Sequence, residues 1–367
     1  MSKKEVVVHL ETITPLWTGD AWQKSCSIRP SSLMGSLRFW FEIICYFAGI
    51  VKKSDFDAKY GKIERQIDYE KLKKTLLNCG SNLEEAVDAI GRLGVPLPAI
   101  VFGTTGWKSL IEIKEIKLIG DYCFGNRLSL PIKICVSKNS EEIEENANCP
   151  NRSSNEWSVF YFPHPPYFFG EFQVKFLVEN FILNDVFYPL LTFMDEYGYW
   201  GGRWNIGYGR LKVKQLQQDD WRKCEFKFER FNKGNKRIED LVIETILTDT
   251  SLDSSFDKLI ELDNNKKINI IIEEKLRSAD LKEVIKELIY IRAKARARRH
   301  ENFPNINATE ERHKIFGTIK GPPYNKDHLP QGSKILPYIK RENGNYVGGF
   351  LSIVDVLNLY NKGGQND

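Results

Sequence analysis

The 367-residue sequence predicts an α+β protein built from two ferredoxin-like (RRM-like, split βαβ) domains with helical insertions, spanning residues 1–217 and 218–367. Three observations predict it. The apolar period switches along the chain in the order strand, helix, strand, strand, helix, strand, which is the split βαβ pattern. A step of apolar residue, Phe, Gly and Thr recurs at AIVFGTTG and KIFGTIKG, each time ahead of a strand-like run, as in two related units. The chain is also long for a single compact core.

Residues Glu5 to Ile13 alternate and are rich in β-branched types, which predicts the first strand. Pro15, Gly19 and Asp20 mark a turn region. In IRPSSLMGSLRFWFEIICYFAG, Pro30, Ser31 and Ser32 are helix-start residues. Leu33, Leu37, Trp40, Phe41, Ile44 and Phe47 then recur at helical spacing, and the helix ends near Gly49. A helical insertion occupies about 54–94. Short strands are expected at Ile100–Gly103, Ser109–Ile119 and Arg127–Val136, and the polar stretch Ser137–Glu156 reads as a surface loop.

Aromatics dominate VFYFPHPPYFFGEFQVKFLV, whose last part predicts a strand. Leu183–Tyr197 carries a helical stripe, a glycine-rich loop covers 198–210, and Arg210–Leu216 alternates as a strand. In the second half, strands are expected at Lys223–Glu229, Lys314–Ile319 and Lys334–Ile339. One helix runs from Ser278 to about Arg299, and another is capped by Ser352.

Composition excludes several classes. The longest apolar run, Ile43–Val51, is far short of the roughly 20 residues of a membrane span. The N-terminal MSKKEVVVHLE has no secretory apolar core, so a cytoplasmic protein without membrane contact is expected. Seven cysteines with no C-x-x-C predict free thiols rather than a disulfide framework or a zinc site. The net charge of +4 makes the placement of basic residues more informative than their sum.

Three segments carry candidate binding residues. In YGYWGGRWNIGYGRLKV, five glycines lie within twelve residues. Gly201, Gly202, Gly207 and Gly209 allow close backbone approach and an anion-binding nest. Arg203 and Arg210 are charge-assisted phosphate donors. Trp204, like Trp200 and Tyr208, offers a stacking ring. No Lys-Ser or Lys-Thr follows, and Lys212 stands where G-x-G-x-x-G needs its last glycine, so neither nucleotide motif is present. The alternative reading is a tight helix-to-strand connection with inward aromatics. The second segment is IRPSSLMGSLR, where a helix N-terminus with Arg29, Ser31, Ser32 and Arg38 suits a phosphate, or is an ordinary capped helix. The third is IRAKARARRH, where Arg292, Arg296 and Arg299 share one side of a helix that contacts RNA or a subunit, or is a solvated basic end.

The first strand, the Pro-Ser-Ser-Leu-x-Gly-x-Leu-Arg helix start, the Phe-Gly step and the loop ending Gly-Tyr-Gly-Arg together resemble the RAMP superfamily of CRISPR-associated proteins. TPLWTGDAW and IRPSSLMGSLRFWF are similar to the family of first subunits of the type III-B (Cmr) effector complex. The resemblance implies paired ferredoxin-like folds and a place at one end of a guide-RNA-containing ribonucleoprotein for antiviral defence. It also implies contacts with CRISPR guide RNA, single-stranded target RNA or both, and with other Cmr RAMP subunits, in a non-catalytic role.

No residue is nominated as catalytic, metal-ligating or cofactor-binding. The five histidines lack metal-ligand spacing. His164 sits in a proline-rich aromatic stretch, and His313 beside Lys314 is a pair that could in principle cleave RNA by general acid–base transfer. Three functions stay open: an RNA-binding subunit, a metal-independent RAMP endoribonuclease, and a structural adaptor.

Overall fold

The computed structural model describes residues 3–19, 24, 26–47, 50–59, 61–63, 68–80, 82–138, 140, 142–150, 156–163, 165–216, 220–227, 242–247, 267–298, 316–318 and 332–352. It is a mixed α/β architecture with antiparallel sheets and several helices. The first half is organised by a four-stranded sheet of β1 (Lys3–Thr12), β2 (Ile111–Asn126), β6 (Tyr167–Glu179) and β7 (Leu211–Leu216). Their order across the sheet is β2-β6-β1-β7, with every neighbouring pair antiparallel. Helix α1 (Pro30–Phe47) follows β1, and α5 (Tyr188–Glu196) follows β6. The four sheet strands and these two helices therefore occur in the expected βαββαβ order.

Alternation explains the burial. Val6, Val8 and Leu10 of β1 and Phe172, Val174, Phe176 and Val178 of β6 point to the helices. Leu33, Leu37, Trp40 and Phe41 of α1 and Leu190, Leu191 and Met194 of α5 meet them. The opposite sheet face carries charged and polar side chains. Lys175 lies 3.1 Å from Glu5, Lys214 lies 2.8 Å from Glu11, and His9 Nε2 lies 2.7 Å from Glu171. The centre of that face thus lacks the aromatic pair with which RRM sheets stack bases.

The insertion contains α2 (Tyr69–Asn78) and α3 (Leu83–Arg92) as expected, capped by the side chains of Asp68 and Asn82. Ile100–Gly103 is not a strand. Pro96 and Pro98 set the start of α4 (Leu97–Phe102), whose first five residues are all buried. An all-apolar run has no period to separate helix from strand.

Ser137–Glu156 is more ordered than a surface loop. Its described part supplies β4 (Ile143–Glu145), which joins β3 (Lys133–Ser137) and β5 (Trp157–Tyr161) in an antiparallel sheet ordered β4-β3-β5. Cys135 and Cys149 are joined there in a disulfide, against the expectation of free thiols. Cys26, Cys45, Cys79, Cys123 and Cys224 are free.

The second half holds β8 (Val242–Leu247), β9 (Lys267–Ser278), α6 (Leu281–Arg298), β10 (Ile335–Glu342) and β11 (Asn345–Ser352). The sheet order is β8-β9-β11-β10, and β8 runs parallel to β9. The described residues thus show βαββ, with β8 in the edge position a closing strand would take. Residues 224–227, expected in a strand, have no regular structure. The expected helix after Ser352 lies outside the described residues.

The Phe-Gly echo has a shared backbone. Phe102 ends α4 and Phe316 is helical, while Gly103 and Gly317 follow at φ +85° and +82°, left-handed values that favour glycine. The two halves also share a core, because Leu336, Tyr338, Val347 and Leu351 pack into the cluster built by the first sheet. Among the described residues, no helix is long and apolar enough to cross a membrane.

A shared core unfolds as one unit. Calorimetry of the intact chain should show a single transition. Leu336→Ala should move all of it, with a loss of about 2–4 kcal/mol. Two resolved transitions, only one of them shifted, would show independently folding halves.

Candidate nucleic-acid interface

The glycine-rich loop connects α5 to β7 and touches both core clusters. Tyr199 and Trp200 are buried in the first, and Ile206 and Tyr208 in the second. Its backbone donors are taken up by the protein. Gly201 N–H donates to Ser36 Oγ at 2.9 Å, Gly202 N–H to the Trp17 carbonyl at 2.9 Å and Gly209 N–H to the Pro15 carbonyl at 2.9 Å. Gly207 N–H donates to the Trp204 carbonyl at 2.9 Å, closing a 3-10 turn over Trp204–Ile206. These four glycines therefore form no anion nest. A Cβ on Gly201 would stand 2.3 Å from the Trp17 carbonyl oxygen, and one on Gly209 2.2 Å from that of Trp200. Close approach is required here, but by the protein's own backbone.

Arg210 is buried at 1% exposure and is withdrawn from phosphate contact. Its guanidinium donates to the Glu196 carbonyl at 2.6 Å and to the Gly198 carbonyl, with longer contacts of 3.5 Å to the carbonyls of Asp195 and Ile339. It also lies over the rings of Tyr338 and Tyr199, at 4.7 and 5.4 Å. The carbonyls of Asp195, Glu196 and Gly198 lie at and just beyond the C-terminal end of α5, where helix carbonyls lack intrahelical partners. Arg203, half-buried in left-handed backbone at φ 64°, places its guanidinium 4.9 Å from the Trp17 ring. Burial holds its pKa below the usual arginine value. Trp204 is half-buried rather than free to stack, with its ring 5.0 Å from Phe39 and 5.9 Å from Trp40.

At the start of α1, Pro30 takes the first helical position, so Ser31 and Ser32 lie within the first turn and not at the cap. Ser31 and Gly35 are exposed, and Arg29 and Ser32 are half-buried. Arg38 is turned inward. It donates to Glu42 at 2.9 Å and to the Gly103 carbonyl at 2.9 Å, tying α1 to the end of α4. Burial raises the Glu42 pKa, and Arg38 opposes that rise.

Arg292 is buried at 6% exposure, where a solvated basic end was the alternative. It donates to the Asn205 carbonyl of the loop at 2.9 Å and to Ser333 Oγ at 3.0 Å. Arg296, one turn on, is half-exposed over the Phe160 ring at 5.7 Å. Arg299 lies outside the described residues, as do His164 and His313.

The loop therefore stands between the other two segments. Ser36 and Phe39 of α1 hold one side of it, and Arg292 of α6 holds the other. Beside α6 opens a cleft of about 440 Å³, lined by Lys138, Trp157, Phe160, Asn205, Arg292 and Arg296 among others. Sequence reading missed Lys138, Trp157, Phe160 and Asn205. They come from separate segments, and only the aromatic alternation of WSVFYF hinted at them.

Comparison with known proteins agrees with the sequence motifs. The family model described as RAMP superfamily matches residues 9–212, more than half of the chain. No curated protein matches. Among solved structures, Cmr1 from Pyrococcus furiosus in its apo form is similar at 13% identity and a TM-score of 0.36, covering 95% of this chain and 87% of that one. Cmr6 from Pyrococcus furiosus is similar at 14% identity and a TM-score of 0.24, covering 58% of this chain and 98% of that one.

Urea denaturation distinguishes the two kinds of arginine. Arg210→Met leaves several buried carbonyls without a donor and should cost about 3 kcal/mol or more. Arg29→Ala, at the surface end of α1, should stay within about 0.5 kcal/mol of the parent protein. A loss below about 1 kcal/mol for Arg210→Met would show that its carbonyl contacts are dispensable.

Proposed function

The chain belongs to the RAMP superfamily, and we propose that it is a non-catalytic, RNA-binding subunit of a type III-B CRISPR (Cmr) ribonucleoprotein. In this reading it contacts guide RNA, target RNA or both, and neighbouring RAMP subunits. The observation that carries the reading is the meeting of α1 and α6, far apart in sequence, on the glycine-rich loop, three segments that also carry the half-buried cations Arg29, Arg203 and Arg296. Cations on neighbouring segments fit a backbone-directed RNA contact, in which they neutralise successive phosphates. The charged centre of the first sheet argues for these cations over an RRM-type sheet platform.

The reading includes two related ferredoxin-like units, 1–217 and 218–367. It is supported by the βαββαβ order of the first sheet, the βαββ order of β9, α6, β10 and β11, and the matched backbone at the two Phe-Gly steps. A non-catalytic role is favoured because the segments that meet are basic and aromatic, with no histidine beside them among the described residues.

Titration of labelled single-stranded RNA at several salt concentrations tests the reading. Affinity should fall with salt by a log–log slope of about −0.7 per neutralised phosphate. Arg29→Ala and Arg203→Ala should each reduce that slope by about one contact and weaken all sequences alike. RNA should stay intact with and without divalent metal. Slopes unchanged in both folded variants would move the RNA path elsewhere, absence of binding would leave an adaptor, and cleavage in EDTA would make the protein a RAMP nuclease.

A further inference from the structure

The disulfide between Cys135 and Cys149 joins β3 to the turn that follows β4. Ile134 and Val136, on either side of Cys135, enter the core that holds Ile285 and Leu288 of α6. Strand alternation turns Cys135 to the other face of β3, where it meets Cys149. Cys135 is fully buried, and Cys149 is 8% exposed. Neither belongs to the two main cores. The bond therefore holds down a surface segment and does not cross-link the body of the fold.

The other contacts of that segment are weak. β4 is a three-residue strand at the sheet edge, paired with β3 alone. So short a strand adds little by itself. Asn146 Oδ1 accepts from the backbone N–H of Ile132 at 2.9 Å and of Lys133 at 3.3 Å. Asn146 does so from left-handed backbone at φ 47°, a conformation that costs energy outside glycine. Glu145 lies 3.0 Å from Lys286 of α6, and both side chains are partly exposed, where an ion pair contributes little. The disulfide is thus the main restraint on residues 142–149. Its cysteines are 14 apart in sequence. Breaking a cross-link of that span favours the opened segment by roughly a hundredfold.

We propose that Cys135 and Cys149 form a reversible redox latch: oxidised, it holds Glu145 of β4 against α6, and reduced, it lets residues 142–149 open and uncovers Lys286. The latch goes beyond the RNA-binding reading and does not depend on it. Its reductant is a protein dithiol or a low-molecular-weight thiol. One thiolate attacks the sulfur of Cys149, the more exposed of the pair. The S–S bond breaks, Cys135 leaves as a thiolate and takes up a proton, and a mixed disulfide forms on Cys149. A second thiolate attacks the outer sulfur of that mixed disulfide, which frees Cys149 to take up a proton and leaves the reductant as its own disulfide. Two electrons and two protons have then passed to the cysteine pair, and a small-molecule disulfide reverses the exchange. A thiolate is disfavoured at the fully buried position of Cys135, so exchange runs through the opened segment. The Cα atoms stand 5.5 Å apart, within the usual range, so the bond re-forms once β4 pairs again. Reduction turns a covered, carboxylate-paired stretch of α6 into an open, cationic one.

Hydrogen exchange of the full-length protein, read by mass spectrometry before and after dithiothreitol, tests the latch. Alkylation in native buffer fixes the redox state: Cys135 and Cys149 should resist iodoacetamide when oxidised and be modified after reduction. Peptides over residues 142–149 should then exchange about a hundredfold faster, while those over Val6–Leu10 of β1 keep their rates. Acetylation of Lys286 by acetic anhydride should speed up severalfold, with Lys282 of the same helix unchanged. Oxidised glutathione should restore the original pattern. Cys149→Ser should show the reduced pattern with or without dithiothreitol. If that variant does not fold, the parent protein reduced in place gives the same reading. Free Cys135 and Cys149 thiols that persist after treatment with oxidised glutathione overturn the latch. So does equal exchange over 142–149 in protein whose oxidised and reduced states have been verified. Loss of protection over Val6–Leu10 on reduction overturns it too, because the disulfide would then be a staple of the whole fold.

Discussion

A guanidinium with no carboxylate partner among the described residues sits where the two halves of the chain meet. Arg210 reaches the carbonyls of Asp195, Glu196 and Gly198 at the end of α5, and that of Ile339 in β10. The helix end supplies what a counterion would otherwise supply, because its last carbonyls carry partial negative charge and have no intrahelical donor. Tyr338 from the second half donates to the same Glu196 carbonyl at 2.7 Å, and Tyr199 from the first donates to the Pro337 carbonyl at 2.8 Å. The rings of both tyrosines also face the guanidinium. Removing the cation would leave the last carbonyls of α5 short of a donor and the seam held by the tyrosine and Arg292 hydrogen bonds alone among those described. The loop geometry depends on this, since Arg210 is the residue at which the loop enters β7.

The loop is thus a joint, and its glycines follow from that role. Its residues enter two separate cores, with Tyr199 and Trp200 on one side and Ile206 and Tyr208 on the other. A segment that supplies side chains to two cores within ten residues must turn sharply. It does so through left-handed backbone at Gly201, Arg203, Gly207 and Gly209. The segment from Pro15 to Trp17 lies close enough to accept two of its amides. That same packing sets Arg203 against the Trp17 ring and the Asn205 carbonyl against Arg292 of α6.

Much of the fold was legible in the sequence because β1, α1, β6 and β7 have unambiguous periods. The failures have physical reasons. VPLPAIVF is apolar throughout, so only its prolines could have indicated α4. The β3-β4-β5 sheet draws one strand from an acidic stretch whose burial comes from its neighbours. In β11, two adjacent glycines in NYVGGFLS blur the alternation. The first of them, Gly348, lies under α6, where a Cβ would meet Val284 and Leu288. At the candidate site, the glycine and arginine pattern located the loop correctly but not its use. Sequence shows that a glycine permits close approach, and it does not show whether the approaching group is a ligand or the protein's own carbonyl. The cleft was invisible for a related reason. Its lining comes from residues near 138, 157–162, 205, 292–296, 316 and 332, and no window of sequence holds more than one wall.

Arg210 and Arg292 show why residue type alone could not assign a role. Both are arginines, both are nearly fully buried, and both donate to backbone carbonyls. Arg210 faces a helix C-terminus and two tyrosine rings, so its charge is answered within the fold. Arg292 sits within α6, one helical turn from Arg296, whose positive charge adds to burial in lowering its pKa, and its Nε has no hydrogen-bond partner. The first arrangement holds the protein together and leaves nothing over for a ligand. The second borders a cleft and, among the described residues, has only neutral hydrogen-bond partners. Burial therefore separates the chain's arginines less well than the sign of the charge each one faces.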